Sequence, residues 1–82
     1  MIPRIKQIQP MANFRLLVDF DEGDRVIYDV SEDIREIAAF AELKTLPGLF
    51  ENVHLDSSRT SVVWNDRIDL SSDTIREYGG VI

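Results

Sequence analysis

The sequence predicts a single α+β domain: a mainly antiparallel sheet of about five strands, with helical segments at residues 32–45 and 72–78 packed on one face. Three observations predict it. Apolar and polar residues alternate in several short segments, serines precede two helix-like stretches, and the 82 residues contain no linker or repeat. We expect residues 1–82 to form one domain with a small core, so self-association is a realistic means of stabilisation.

Two alternating segments joined by an acidic turn form the clearest predicted element, an antiparallel hairpin. Every second side chain is apolar in residues 14–20 and again in residues 25–30. Between them Gly23 can take the positive φ that a tight turn needs. Residues 4–9, which lie between two prolines, predict a weaker edge strand.

Residues 50–56 and 60–65 predict a second hairpin, with its turn at residues 57–59. Val53 and Leu55 should face inward beside two apolar residues of the second strand, Val62 and Trp64. Another turn at Asn65 and Asp66 should precede Ile68 and Leu70.

Serines predict the starts of both helical segments. Ser31, followed by two acidic residues, is a predicted N-cap, and the apolar stripe after it is wide enough for either one helix to Lys44 or two short ones. Pro47 should end this segment. Ser71 is the predicted cap of the last helix and Gly79 its C-terminal stop.

The charge balance argues against direct binding of nucleic acid. The chain has 15 Asp and Glu against 9 Lys and Arg, a net charge of −6 and a pI near 4.5. The basic residues are spread along the chain, so they form no patch that would attract phosphates. An acidic surface serves solubility or attracts a basic protein partner.

The apolar runs are too short for a membrane span or a signal peptide, and the chain has no cysteine for a disulfide or a thiolate site. We therefore expect a soluble cytoplasmic protein that does not contact membranes.

The sequence indicates no catalytic, cofactor-binding or metal-binding residues. His54 is the one histidine, and its neighbours Asp56 and Ser57 on one strand end cannot form a nucleophile, base and orienting acid. The acidic residues near Gly23 lack the spacing of an EF-hand, and no glycine-rich phosphate loop exists. Carboxylates such as Asp66 and Asp69 leave a small-ligand or metal site as the weakest alternative.

Apolar residues on the second face of the strands are the candidate interaction surface: Leu17, Ile27 and Val63. A small sheet covered on one side should be polar on the other, so these residues require a cover. The cover is either a second chain or the domain's own loops. Trp64 shares the periodicity of Val62 and is predicted to lie in the core, although tryptophan can also anchor an interface.

Three segments in order resemble a small prokaryotic family, domain of unknown function 2442: residues 14–31, residues 40–56 and residues 62–79. The most specific part is the run WNDRIDLS at residues 64–71. Arg67 departs from the pattern, because members often carry glycine there. The likeness covers nearly the whole chain.

The resemblance implies no known activity, cofactor or catalytic residue. Some members are fused to a helix-turn-helix domain, which we expect this chain to lack, and others are encoded beside a small partner in the manner of toxin and antitoxin pairs. We therefore expect a non-enzymatic protein-interaction module, either homo-oligomeric or bound to a small protein. The alternative is an accessory component of a helix-turn-helix transcription regulator.

Overall fold

The computed structural model describes residues 2–81 and contains two antiparallel sheets. Met1 and Ile82, the ends of the predicted domain, lie outside the described residues. The first sheet has the strand order β1-β2-β3-β7 and the second the order β4-β5-β6. The strands are β1 (Ile5–Met11), β2 (Arg15–Phe20), β3 (Arg25–Asp29), β4 (His54–Leu55), β5 (Ser61–Asn65), β6 (Ile68–Ser71) and β7 (Gly80–Val81).

The α+β class is correct, but the prediction of one five-stranded sheet is wrong. The inner faces of both sheets contribute to one continuous core, which also contains the buried side chains of the helical segments. The sheet divides in two because the α-helices are too short to bury its apolar face. The α-helices have only 6, 4 and 7 residues, too few to cover a wide sheet, so the two sheets bury each other's apolar faces.

The first hairpin forms as predicted. Strands β2 and β3 pair with Leu16 opposite Tyr28, and these side chains are buried on the inner face. Gly23 has φ of 100° in the turn between them. Strand β1 pairs with β2 as the predicted edge strand, and it continues through Pro10 because an edge position tolerates the missing N–H.

The second hairpin is shorter than predicted. Residues Phe50–Asn52 form a 3₁₀ turn instead of a strand, and β4 has two residues. The turn positions the carbonyl oxygen of Phe50 to accept a hydrogen bond from the buried Trp64 indole at 3.1 Å. Leu55 pairs with Val62 and packs against the core, as predicted.

The sequence allowed either one helix to Lys44 or two short ones, and the structure has two short helices. It consists of helix α1 (Ser31–Glu36), a 3₁₀ turn (Ala38–Ala41) and helix α2 (Glu42–Thr45). Ile37 is extended, with φ −109° and ψ 115°, and this break lets Phe40 and Leu43 both reach the core. The N-cap prediction for Ser31 is wrong, since Ser31 is the first helical residue and its N–H is bound by the Asp29 carboxylate at 2.9 Å.

The last helix, α3 (Ser72–Tyr78), begins as predicted, because the Ser71 hydroxyl accepts a hydrogen bond from the Thr74 N–H at 3.2 Å. Gly79 follows its end, but with φ −80° rather than a left-handed backbone. Among the described residues, no helix has the length and apolar character needed to cross a membrane.

Arg59 joins the two sheets at one end. Arg59 lies in the loop before β5. Its carbonyl oxygen accepts a hydrogen bond from the Ile5 N–H of β1 at 2.7 Å. The guanidinium forms two hydrogen bonds with Asp21, at 2.7 and 2.9 Å, and one with the Ile5 carbonyl. Buried Ser72 adds a second link, because its hydroxyl donates to the Pro3 carbonyl at 2.6 Å.

Packing explains the glycine at position 79. A Cβ there would overlap Cγ1 of Val26 and lie 2.6 Å from the carbonyl oxygen of Ile75, whereas a Cβ at Gly80 would meet nothing closer than 4.0 Å. We predict that Gly79→Ala lowers the free energy of unfolding by about 1–3 kcal/mol through overpacking. Gly80→Ala is the matched control and should change it by less than about 0.5 kcal/mol. Urea unfolding measures both, and equal losses would contradict the account.

Candidate interaction face

The outer face is the surface of the four-stranded sheet that points away from the core. The pairing of β2 with β3 places its six central side chains in three rows of two. The end rows are charged and the middle row is apolar. The rows are Arg15 with Asp29, Leu17 with Ile27, and Asp19 with Arg25.

Leu17 and Ile27 form the apolar centre of the outer face. They lie directly opposite each other, and both are half-buried. Their other neighbours in the register are Gln9 on β1 and Gly80 on β7, which has no side chain to cover Ile27. The buried residues of the helical segments belong to the core on the opposite side of this sheet, so the apolar pair remains partly accessible.

Val63 does not belong to this centre. It lies on β5 of the second sheet, where its register partners are His54 and Asp69. Its neighbours Val62 and Trp64 are buried in the core, so Val63 points away from the core on a different sheet. The structure therefore brings together two of the three predicted surface residues and separates the third.

Hydrogen bonds organise one charged row. The Asp19 carboxylate accepts from Arg25 Nε at 2.7 Å and from Gln7 Nε2 at 2.8 Å. These bonds, that of Arg25 first, lower the pKa of Asp19 below its ordinary value. The same contact raises the pKa of Arg25. Both side chains therefore stay charged near neutral pH.

The other charged row is looser. Asp29 is directly opposite Arg15 in the register, but its carboxylate accepts the N–H of Ser31 at the start of α1. That hydrogen bond is the main reason why the pKa of Asp29 is lowered. Arg15 is exposed, so its guanidinium is accessible at the rim of the apolar centre.

The acidic residues considered as a calcium site are each paired with arginine. Asp21 binds Arg59, Glu22 binds Arg76 at 3.2 Å, and Asp24 also binds Arg76. The guanidinium of Arg76 lies 5.1 Å from the centre of the Phe20 ring, a cation–π contact that holds it over the sheet. These carboxylates anchor the ends of elements to one another. Within the described part of the chain, no three His, Asp or Glu side chains gather as a metal site.

His54, Asp56 and Ser57 do not form a catalytic arrangement. Nδ1 of exposed His54 lies 3.2 Å from the Asn52 carbonyl oxygen, and Asp56 is occupied in its own loop. One Asp56 oxygen accepts the N–H groups of Thr60 and Ser61, and the other accepts the Ser58 hydroxyl. These hydrogen bonds, that of Ser58 first, lower the pKa of Asp56.

Asp66 and Asp69, the other carboxylates considered for a ligand, are both exposed. Asp66 lies in the turn before β6, and Asp69 lies on the outer side of β6. Asn65 determines the turn, since its side-chain oxygen accepts the N–H groups of Arg67 and Ile68 at 2.9 and 3.0 Å. Arg67 does not adopt a left-handed backbone in this turn, so arginine is accommodated there without backbone strain.

Sequence reasoning missed an acidic groove of about 320 Å³ beside α1 and α3. In its wall Tyr28 donates a hydrogen bond to Asp33 at 2.6 Å, and burial followed by this hydrogen bond raises the pKa of the Tyr28 hydroxyl. Tyr78, exposed by 73%, lines the other side. The sequence contains no pattern that predicts this groove, because the alternation around Tyr28 predicts only an inward-facing strand residue.

Comparisons with known proteins give one match. A scan against protein-family models matches residues 5–80 to the family described as "Protein of unknown function (DUF2442)". This confirms the resemblance inferred from the three segments. No curated protein and no solved structure matches the chain.

The hydrogen bonds of Asp56 predict an acid-sensitive contribution to stability. Because folding lowers its pKa from the ordinary value of 3.8, the ionised group stabilises the fold above that pH, and this is lost as the pH falls through the lower folded value. Asp56→Ala should therefore reduce the urea midpoint at neutral pH and weaken its dependence on pH below 3.8. Asp69→Ala, at an exposed carboxylate, is the control; if both variants behave alike, Asp56 has no special role.

Proposed function

Because the chain belongs to the DUF2442 family, whose description names no activity, we propose from its geometry that it is a non-enzymatic protein-interaction module. In this proposal the outer face of the four-stranded sheet binds another protein surface, with Leu17 and Ile27 as the central contacts. The module then acts as a regulatory or antitoxin-like partner of a protein, not as a catalyst.

The observation that carries the proposal is the apolar pair framed by charges. Leu17 and Ile27 occupy the middle row of the outer face, and ion-forming side chains lie in the rows on either side. This is the anatomy of protein interfaces, in which an apolar centre is desolvated inside a polar rim. Gly80, the register neighbour of Ile27 on β7, has no side chain to cover it.

The size of the apolar centre sets the expected strength of binding. Removing apolar surface from water contributes roughly 25 cal/mol per Å², so two half-buried side chains supply only a few kcal/mol. The charged rows must then contribute orientation and specificity. We infer a modest, specific interaction in which loss of either apolar side chain has a large effect.

The acidic side chains support a structural role over a chemical one. Carboxylates around the first hairpin turn pair with arginines, and Asp56 is held by its own loop. A general acid or base needs access to a substrate proton, and a metal site needs several converging oxygens. The interaction hypothesis makes use of the accessible apolar pair, which an enzyme hypothesis leaves unexplained.

We predict that Ile27→Asp abolishes binding while the chain remains folded, because a charge would be buried at the centre of the interface. The measurement is capture of the tagged chain from its native lysate, with the mass of the retained assembly and circular dichroism as a check of folding. We expect at least a tenfold loss of the captured assembly.

Val63→Asp is the matched control, since it places the same charge at a half-buried apolar position on the other sheet. It should leave the assembly intact. An assembly that survives Ile27→Asp but dissociates with Val63→Asp would move the interface to the second sheet and refute the proposal.

A further inference from the structure

We infer that the protein surface bound by the outer face is a second copy of this chain, in a two-fold symmetric dimer. This inference rests on the proposed function, because it names the partner of the same face. It is carried by the pattern of charges around Leu17 and Ile27, which complements itself.

The charges alternate around the four corners of the outer face. Strand β2 carries Arg15 and Asp19 at its two ends, and β3 carries Asp29 and Arg25 opposite them. An arginine therefore lies diagonally across from an arginine, and an aspartate diagonally across from an aspartate. The four corner side chains together carry no net charge.

A second copy can be laid on this pattern without bringing like charges together. If it is turned about an axis parallel to the strands, Arg15 lies over Asp29 of the other copy and Leu17 lies over Ile27. If it is turned about an axis across the strands, Arg15 lies over Asp19 of the other copy and Leu17 lies over itself. Both orientations are isologous, as a closed dimer requires, and both place opposite charges over each other.

The net charge of the chain disfavours self-association through its acidic surface. The chain carries a net charge of −6, and none of it comes from the four corner residues. Two copies therefore repel each other unless they meet at a neutral face. A basic partner would instead select an acidic face, so the neutrality of this one argues for a second copy.

The edge of the first sheet is also closed at β1. Pro10 has no N–H to donate, and the N–H and carbonyl of Ile5 are already bound by Arg59. Extension of the sheet by a β1 strand from a second copy is therefore unfavourable. This removes one competing route by which two copies could associate.

The test uses two variants that cannot associate with themselves but should associate with each other. Arg15→Glu with Arg25→Glu makes all four corners acidic. Asp19→Lys with Asp29→Asn makes the face basic, and the asparagine keeps an oxygen that can accept the Ser31 N–H. Each purified variant alone should have the 9.4 kDa mass of one chain, and the equimolar mixture and the wild type should have twice that mass.

Sedimentation or light scattering from about 5 to 500 μM brackets weak to moderate affinities. Lys44→Glu with Arg67→Glu is the control, since it changes the net charge as much as the acidic variant does, at exposed positions outside the first sheet, and should remain a dimer. Circular dichroism checks folding. If the acidic double variant does not fold, Arg15→Glu alone replaces it, because the strong hydrogen bond of Arg25 to Asp19 is then kept.

The outcomes separate the inference from the function on which it rests. A monomeric wild type, or a mixture of variants that stays monomeric, overturns the second copy as partner. If capture from lysate is still lost with Ile27→Asp, the outer face then binds a different protein and the proposed function survives. If Ile27→Asp also leaves the captured assembly unchanged, both the dimer inference and the proposed function are wrong.

Discussion

Burial of Trp64 between the two sheets is the constraint on which the rest of the structure depends. The indole is 2% exposed, stacks on Phe50 at 6.0 Å and meets Phe40 edge-on at 6.1 Å, and its N–H binds the Phe50 carbonyl. Phe50 in turn contacts Phe14, next to the first hairpin. One side chain thus ties the second sheet, the helical segment and the first sheet together. Among the residues that the structure describes, the core lies on the inner face of the first sheet.

Local patterns predicted those elements whose structure is decided by nearby residues. The hairpin around Gly23 and the helix capped by Ser71 follow from alternation and from short-range hydrogen bonds. The division into two sheets did not follow, and the sequence left open whether the segment to Lys44 is one helix or two. Both features depend on contacts of Trp64 and Phe40 between residues distant in sequence. Propensity and periodicity contain no information about such contacts.

The candidate site shows the same division. Alternation correctly placed Leu17 and Ile27 away from the core, but it could not show that Val63 lies on a different sheet. The alternating charges at the corners could have been found in the sequence, since the hairpin register follows from the turn around Gly23. They carry meaning only once the core is known to lie on the other side of this sheet, and that required the tertiary structure.

The central claim is that the outer face is covered when the protein is in its working assembly. Hydroxyl-radical footprinting in the native lysate tests it directly, because it reports the solvent access of individual side chains. The account predicts that Leu17 is protected in the wild type and becomes oxidised in the Ile27→Asp variant, while oxidation of Val63 does not change. Equal oxidation of Leu17 in the two proteins would contradict it.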